Sequence, residues 1–292
     1  MATHRYLVVD VFAHTPLEGN PAAVFPASAD LAPGEMQAIA CELNLSETTF
    51  ICPPTRAGCV ARLRIFTPQR EMRFAGHPTV GASFVLWRQG MLPAGTDRFA
   101  LDEPVGAVPI LIEPGDPPLI WLETPPVTAG RLYDPALCAR ALGLDASDVL
   151  DATTPQMLSA GNPIVVIALR SRDAVDRAQF DLSGDVLLRG SDSEPVCTYV
   201  FAPSADGAYG RMFAPSHGIA EDPATGSAMG PLAVFMAQHG LLEGTKRTRF
   251  ICEQGTRMGR RSLLHIRRGA APDAPIEVGG CVTPVIEATL TL

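Results

Sequence analysis

Hydrophobic and polar positions alternate in short runs along most of this chain. Such runs lie at 6–12, 22–25, 48–52, 59–66, 107–112, 119–123, 163–169, 196–202, 208–213, 248–252, 262–267 and 285–292, and each predicts a β-strand. The 26 glycines and 27 prolines are frequent between them, as expected of short strands joined by turns. Helices are predicted at 34–43 after Ala32-Pro33-Gly34, at 78–89, at 135–142 behind Asp134-Pro135, and at 228–239. Two of these lack a polar face: 80–87 reads VGASFVLW and 228–237 reads AMGPLAVFMA. A helix apolar all round must be enclosed by protein, and each is too short to cross a membrane. Gly230 and Pro231 predict an irregular first turn in the second helix.

The two apolar helices belong to an internal repeat. FTPQREMRFAGHPTVGASFVLWRQG at 66–90 is echoed by FAPSHGIAEDPATGSAMGPLAVFMAQHG at 213–240. Gly76 matches Gly226 and Gly90 matches Gly240. Upstream, GNPAAVF at 19–25 is echoed by GNPIVVI at 161–167, and TTFI at 48–51 by CTYV at 197–200. The common order predicts an α+β fold of two pseudo-symmetric domains. Each is a strongly curved, mostly antiparallel sheet around a central helix, which sets two helix N-termini on either side of a cleft. The boundary is expected in the proline-rich stretch from Glu123 to Thr128, giving domains 1–124 and 125–292. The last strand, 285–292, is expected to cross back onto the first domain, and a loop is expected at 270–275.

Composition narrows the function. The 292 residues are 47% hydrophobic and 18% charged, a globular balance. A net charge of −8 repels phosphate backbones and argues against nucleic acid. No apolar run is long enough for a membrane span. Seven cysteines without a C-x-x-C pair, and no leader-like start, predict reduced thiols in the cytoplasm. Arginines cluster at 56–73 and 257–268, either as solvated faces or as a rim that attracts a small anion.

Four positions stand out chemically. His77 precedes Pro78, a favoured first helical residue, and so is expected at the N-cap, where histidine is a poor choice. It is either a catalytic group or a histidine satisfied by neighbouring backbone. Ser227 holds the matching place in the second half, where it is a good cap or a ligand contact. Gly76 and Gly226 let a ligand approach the positive ends of the helices, which suit a carboxylate. Asp222, before Pro223, either closes an Asx-type turn or places a carboxylate at the cleft. Glu47 follows a helix and opens a strand, and on the TTFI/CTYV alignment its partner is the apolar Val196. It is either a solvated loop residue or a base whose pKa an apolar cleft raises. No second histidine stands at metal-ligand spacing, and neither a P-loop nor a dinucleotide fingerprint occurs, so no metal or cofactor is expected.

GNPAAVF (19–25), NLSETTF (44–50), FAGHPT (74–79) and EDPATGSA (221–228), in that order, resemble the signatures of the phenazine-biosynthesis PhzF-like isomerases over essentially the whole chain. That family shares the diaminopimelate epimerase-like fold. The resemblance implies that Glu47 is the catalytic acid/base, with His77 and Asp222 beside it. Asn20, Gly76, Gly226 and Ser227 would bind substrate. Epimerases and racemases of this fold use one cysteine at each Gly turn, where this chain has His77 and Ser227, so two-thiol racemisation is not expected. Met72-Arg73 before Phe74 departs from the apolar pair common in the family. The implied activity is a cofactor-independent isomerisation that moves a proton between carbons of a small carboxylic acid, in a homodimer. The alternatives are a non-thiol epimerase or racemase of an amino or hydroxy acid, and a non-catalytic metabolite-binding or protein-interaction module.

Overall fold

A computed structural model describes residues 2–191, 194–244, 248–269, 271 and 274–292; the loop expected at 270–275 falls partly outside them. The chain forms two compact units, Met1–Glu123 with Gly279–Leu292, and Thr124–Val278. No helix among the described residues is long and apolar enough to cross a membrane.

The first unit contains β1 (Thr3–Val11), β2 (Asn20–Phe25), α1 (Pro33–Leu43), β3 (Glu47–Cys52), β4 (Ala61–Phe66), β5 (Glu71–Met72), α2 (Gly76–Arg88), β6 (Arg98–Glu103), β7 (Gly106–Glu113) and β8 (Leu119–Glu123). Its sheet runs β1-β2-β3-β4-β6-β7-β8, with β2/β3 and β4/β6 parallel and the other pairs antiparallel. Alternation sorts its residues by face. Ala23, Phe25 and Phe50 pack with Met36, Ile39 and Ala40 of α1, while Ala22 and Val9 face α2 at Gly81. A Cβ on Gly81 would stand 3.1 Å from the Val11 side chain and 3.2 Å from that of Val9. Every residue of α2 from Gly76 to Leu86 is buried, as its apolar sequence requires.

The second unit contains β9 (Thr128–Leu132), α3 (Pro135–Ala141), β10 (Gln156–Ser159), β11 (Pro163–Ala168), α4 (Arg172–Arg177), α5 (Leu182–Arg189), β12 (Cys197–Pro203), β13 (Gly207–Ala214), β14 (Ile219–Asp222), α6 (Gly226–Gln238), β15 (Arg249–Gln254), β16 (Ser262–Arg268) and the first three residues of β17 (Ile276–Gly280), whose last two belong to the first unit. Its order is β9-β10-β11-β12-β13-β15-β16, with β11/β12 and β13/β15 parallel. The first unit's pattern is thus repeated. Phe235 of α6 meets Phe201 edge-on at 5.8 Å, and the other face of the sheet carries a separate core under α3, α4 and α5. The final strand, β18 (Val282–Thr291), pairs antiparallel with β1 over its length. Backbone pairing therefore assigns 279–292 to the first unit, where a cut at 124/125 alone would leave them in the second.

Several elements differ from the sequence expectation. β6, RFALDE, ends in two buried acids, so its charge hid a strand. β9 is exposed at every residue and β10 is only four residues long, so neither carries an apolar run. The short α4 and α5 start at Ser171 and Asp181, whose side chains accept from first-turn amides. α6 runs unbroken from Gly226 despite Pro231. Both central helices begin earlier than expected. Ala75 and Thr225 are the N-caps, so His77 and Ser227 lie inside the first turn rather than at the caps. Pro78 still falls within that turn, where a missing N–H breaks no helical bond.

Candidate active site

In the first unit the strand faces bring three predicted residues together. Glu47 opens β3 opposite Ala22 of β2 and so shares the face that meets α2. Asn20, two residues before Ala22, lies on the same face. His77 enters from the first turn of α2. Its Nε2 lies 3.2 Å from Glu47 Oε2, and its Nδ1 lies 3.4 Å from Asn20 Nδ2. With the Asn20 amide N–H on Nδ1, that nitrogen is the acceptor and the ring hydrogen belongs to Nε2, which makes no hydrogen bond among the described residues. Burial pushes the His77 pKa down to about 3. An ionised Glu47 at this distance pulls the other way, but full burial is the larger influence and the imidazole is neutral near pH 7. Glu47 is not a solvated loop residue: its side chain is 13% exposed.

Strand pairing revises the counterpart of Glu47. Ala22 pairs with Glu47 and Ala23 with Thr48; Ile164 pairs with Cys197 and Val165 with Thr198. Because Ala22 and Ile164 are matching residues of the repeat, Glu47 corresponds to Cys197 and not to Val196. The alignment of TTFI with CTYV was one residue out of step. Val196 instead joins the core under α3–α5.

In the second unit, Asp222 ends β14 and is buried. Thr225 donates its hydroxyl to Asp222 Oδ2 at 2.5 Å. Gln254, wholly buried at the end of β15, donates from Nε2 to the Asp222 carbonyl at 2.7 Å and to Thr225 Oγ1 at 2.9 Å. Its Oε1 accepts from Tyr199 Oη at 3.1 Å and from the Thr225 amide at 3.3 Å. Tyr199 reaches it across Gly210, where a Cβ would sit 2.7 Å from the phenol. Burial raises the Tyr199 pKa well above its ordinary value, so the phenol remains a donor. This network fixes the turn that leads to Gly226 and the half-buried Ser227.

Thr79, Glu103, Tyr199, Thr225 and Gln254 were not among the sequence candidates. One signal was available: Asp102-Glu103 and Glu253-Gln254 close matching strands of the repeat. Members of the arginine clusters are paired with acids: Arg56 with Asp102, Arg64 with Glu71, Arg261 with Glu253 and Arg267 with Glu277. Among the described residues no group of three or more His, Cys, Asp or Glu is placed to hold a metal.

The family described as phenazine biosynthesis-like protein (PhzC-PhzF) matches residues 9–288. A trans-2,3-dihydro-3-hydroxyanthranilate isomerase of Pseudomonas fluorescens is 37% identical over 269 residues, covering 89% of each chain. In fold, the chain superposes on a Bacillus anthracis phenazine biosynthesis protein of the PhzF family with a TM-score of 0.87 at 22% identity, over all of both chains. A hydroxyproline epimerase from Agrobacterium vitis has a TM-score of 0.64 at 12% identity, over 99% of this chain and 93% of that one, a likeness of fold.

Proposed function

The chain belongs to the phenazine biosynthesis-like (PhzC-PhzF) family and is an isomerase, and from that premise we propose that Glu47 moves a proton between two carbons of a small conjugated carboxylic acid. As carboxylate, Glu47 takes a proton from an activated carbon, and the electron pair left behind shifts along the conjugated system. The carboxylic acid so formed returns the proton to a second carbon. No electrons enter or leave, so the reaction calls for no redox cofactor. The observation that carries this reading is the neutral His77 with its Nε2 3.2 Å from Glu47 and its other ring nitrogen toward Asn20. A neutral ring packed against the carboxylate shields it from water without adding a positive charge that would weaken it as a base.

Asp222 is assigned to proton relay or positioning. Gly76, Gly226, Ser227 and Asn20 are assigned to substrate binding. Support comes from the burial of the Asp222 turn and from the positive end of α6, whose first-turn amides favour a carboxylate. The substrate class follows the relatives: a dihydro-hydroxyanthranilate is the first compound to try. The working form is read as a cytoplasmic homodimer, which sedimentation of the purified protein would check.

The test is Glu47→Gln, followed by deuterium wash-in from heavy water and by product formation. Removing a general base costs roughly 10²–10⁴-fold in rate. A folded Gln variant that exchanges and isomerises at the parent rate would overturn the assignment.

A further inference from the structure

The strand ladders make Glu103 and Gln254 counterparts. Arg62 pairs with Asp102 and Tyr209 with Glu253, and Arg62 and Tyr209 themselves match through the neighbouring ladders. Glu103 and Gln254 therefore end equivalent strands. Both are buried, at 2% and 0% exposure; Gln254 reaches the residue that caps its central helix directly, and Glu103 reaches the cap of the other through Thr79. Gln254 donates to the Thr225 hydroxyl, which passes its hydrogen to Asp222. In the first unit, Thr79 Oγ1 lies 2.7 Å from Glu103 Oε1 and 2.8 Å from the carbonyl oxygen of the cap, Ala75.

A hydroxyl has one hydrogen, and a carbonyl oxygen only accepts. With Glu103 ionised, one of these two short contacts would set oxygen against oxygen with no hydrogen between. With Glu103 protonated, both are hydrogen bonds: Glu103 donates to Thr79, and Thr79 donates to Ala75. That is the order of donors in the second unit, where the amide of Gln254 has no charged form. Glu103 Oε2 has no hydrogen-bond partner among the described residues, so a carboxylate there would be a buried charge without compensation.

We propose that Glu103 is a positioning residue: a neutral carboxylic acid that braces, through Thr79, the turn that carries His77, as Gln254 braces the corresponding turn of the second unit. Burial raises the Glu103 pKa to about 8; the Thr79 hydroxyl works against the rise and the neighbouring Asp102 carboxylate adds to it. Asp102 is itself held ionised by Thr55 and Arg56. His77, two residues before Thr79, is neutral, and the cation of α2, Arg88, lies in its last turn, nine residues on from Thr79. The inference rests on the assignment of His77 to the active site, and its test needs no substrate.

Glu103→Gln, Glu103→Leu and Thr79→Val are compared with the parent by melts and denaturant titrations from pH 4.5 to 9, and by the ¹⁵N imidazole spectrum. The folded acid keeps a proton that the unfolded one sheds above about pH 4.5. The folding constant of the parent, relative to Glu103→Gln, should therefore fall by about tenfold per pH unit up to about pH 8 and then level. The His77 ring signals should be unchanged in Glu103→Gln and displaced in Glu103→Leu. Thr79→Val, which keeps the shape of the residue, should displace them too and serves if the Leu variant does not fold. A ratio flat with pH would show that Glu103 is not held neutral. His77 signals that move in none of the variants, or as far in Gln as in Leu, would show that it does not position the turn. Loss of turnover on the trial substrate bears on the proposed function alone, since neither readout uses it.

Discussion

His77 illustrates how far one residue's surroundings set its chemistry. Its pKa falls to about 3 because burial penalises the charged ring. The unfolded imidazole binds a proton below about pH 6.5, and the folded one does not until about pH 3. Stability is therefore complete above pH 6.5 and is lost as the pH falls from there toward 3. Replacing His77 with Gln removes this liability. The acid-side slope of the melting temperature between pH 6.5 and 4 should be shallower in the variant than in the parent. Parallel slopes would mean that the folded ring takes up its proton as readily as the unfolded one, and would remove the burial-enforced neutral ring from the mechanism. Glu47 and His77 were both singled out by their motifs, and the structure brings them together. The counterpart of Glu47 was not, because a one-residue slip in a four-letter echo leaves the letters similar while the ladder permits only one pairing. Thr79 and Glu103 were hidden for a different reason: 24 residues separate them, and a buried acid in RFALDE reads as a surface charge.

Among elements, the two buried helices were the most legible, since an all-round apolar sequence leaves no choice but enclosure. Their starts were less so. Pro78 marks a first turn but not which residue of it, and the cap falls two residues earlier than the proline suggests. Their ends follow a simple rule: Gly90 and Gly240 both adopt a φ of +66° after the last turn, the left-handed closure that glycine permits. The turn before α6 depends on an element that sequence did not connect to it. Gly255 follows Gln254 with φ +76°, and a Cβ there would stand 2.3 Å from the Arg260 carbonyl oxygen and 2.5 Å from that of Pro223. Both obstacles are backbone, so neither can swing aside. Gly255→Ala should cost about 1–3 kcal/mol of stability and displace Pro223 with its neighbour Asp222. Denaturant titration and turnover should both register the change. A variant as stable and active as the parent would show that the turn tolerates movement and that Asp222 needs no such clamp.

For the whole molecule, the repeat in sequence became a repeat in strand order, down to the two parallel pairs that flank each central antiparallel pair. The last strand, 285–292, was expected to cross back onto the first domain; what the sequence left open was which strand it joins and in what register, because β18 reads as an ordinary strand and its partner lies at the opposite end of the chain. The ladder from Thr3–Thr291 to Val11–Val282 makes the first unit discontinuous. β1 supports α2 through Val9 and Val11 at Gly81, so a β1 without its β18 neighbour leaves the strand under α2 exposed along one edge. The two units should then differ in their ability to fold alone. A fragment of residues 124–278 carries its own core and should melt cooperatively. A fragment of residues 1–123 should not, until a peptide of residues 279–292 is added or joined to it, when a cooperative melt should return. Native-like folding of 1–123 by itself would show that β18 decorates the unit rather than completing it. Failure of 124–278 to fold with its core intact would show that the two units are not independent folding domains.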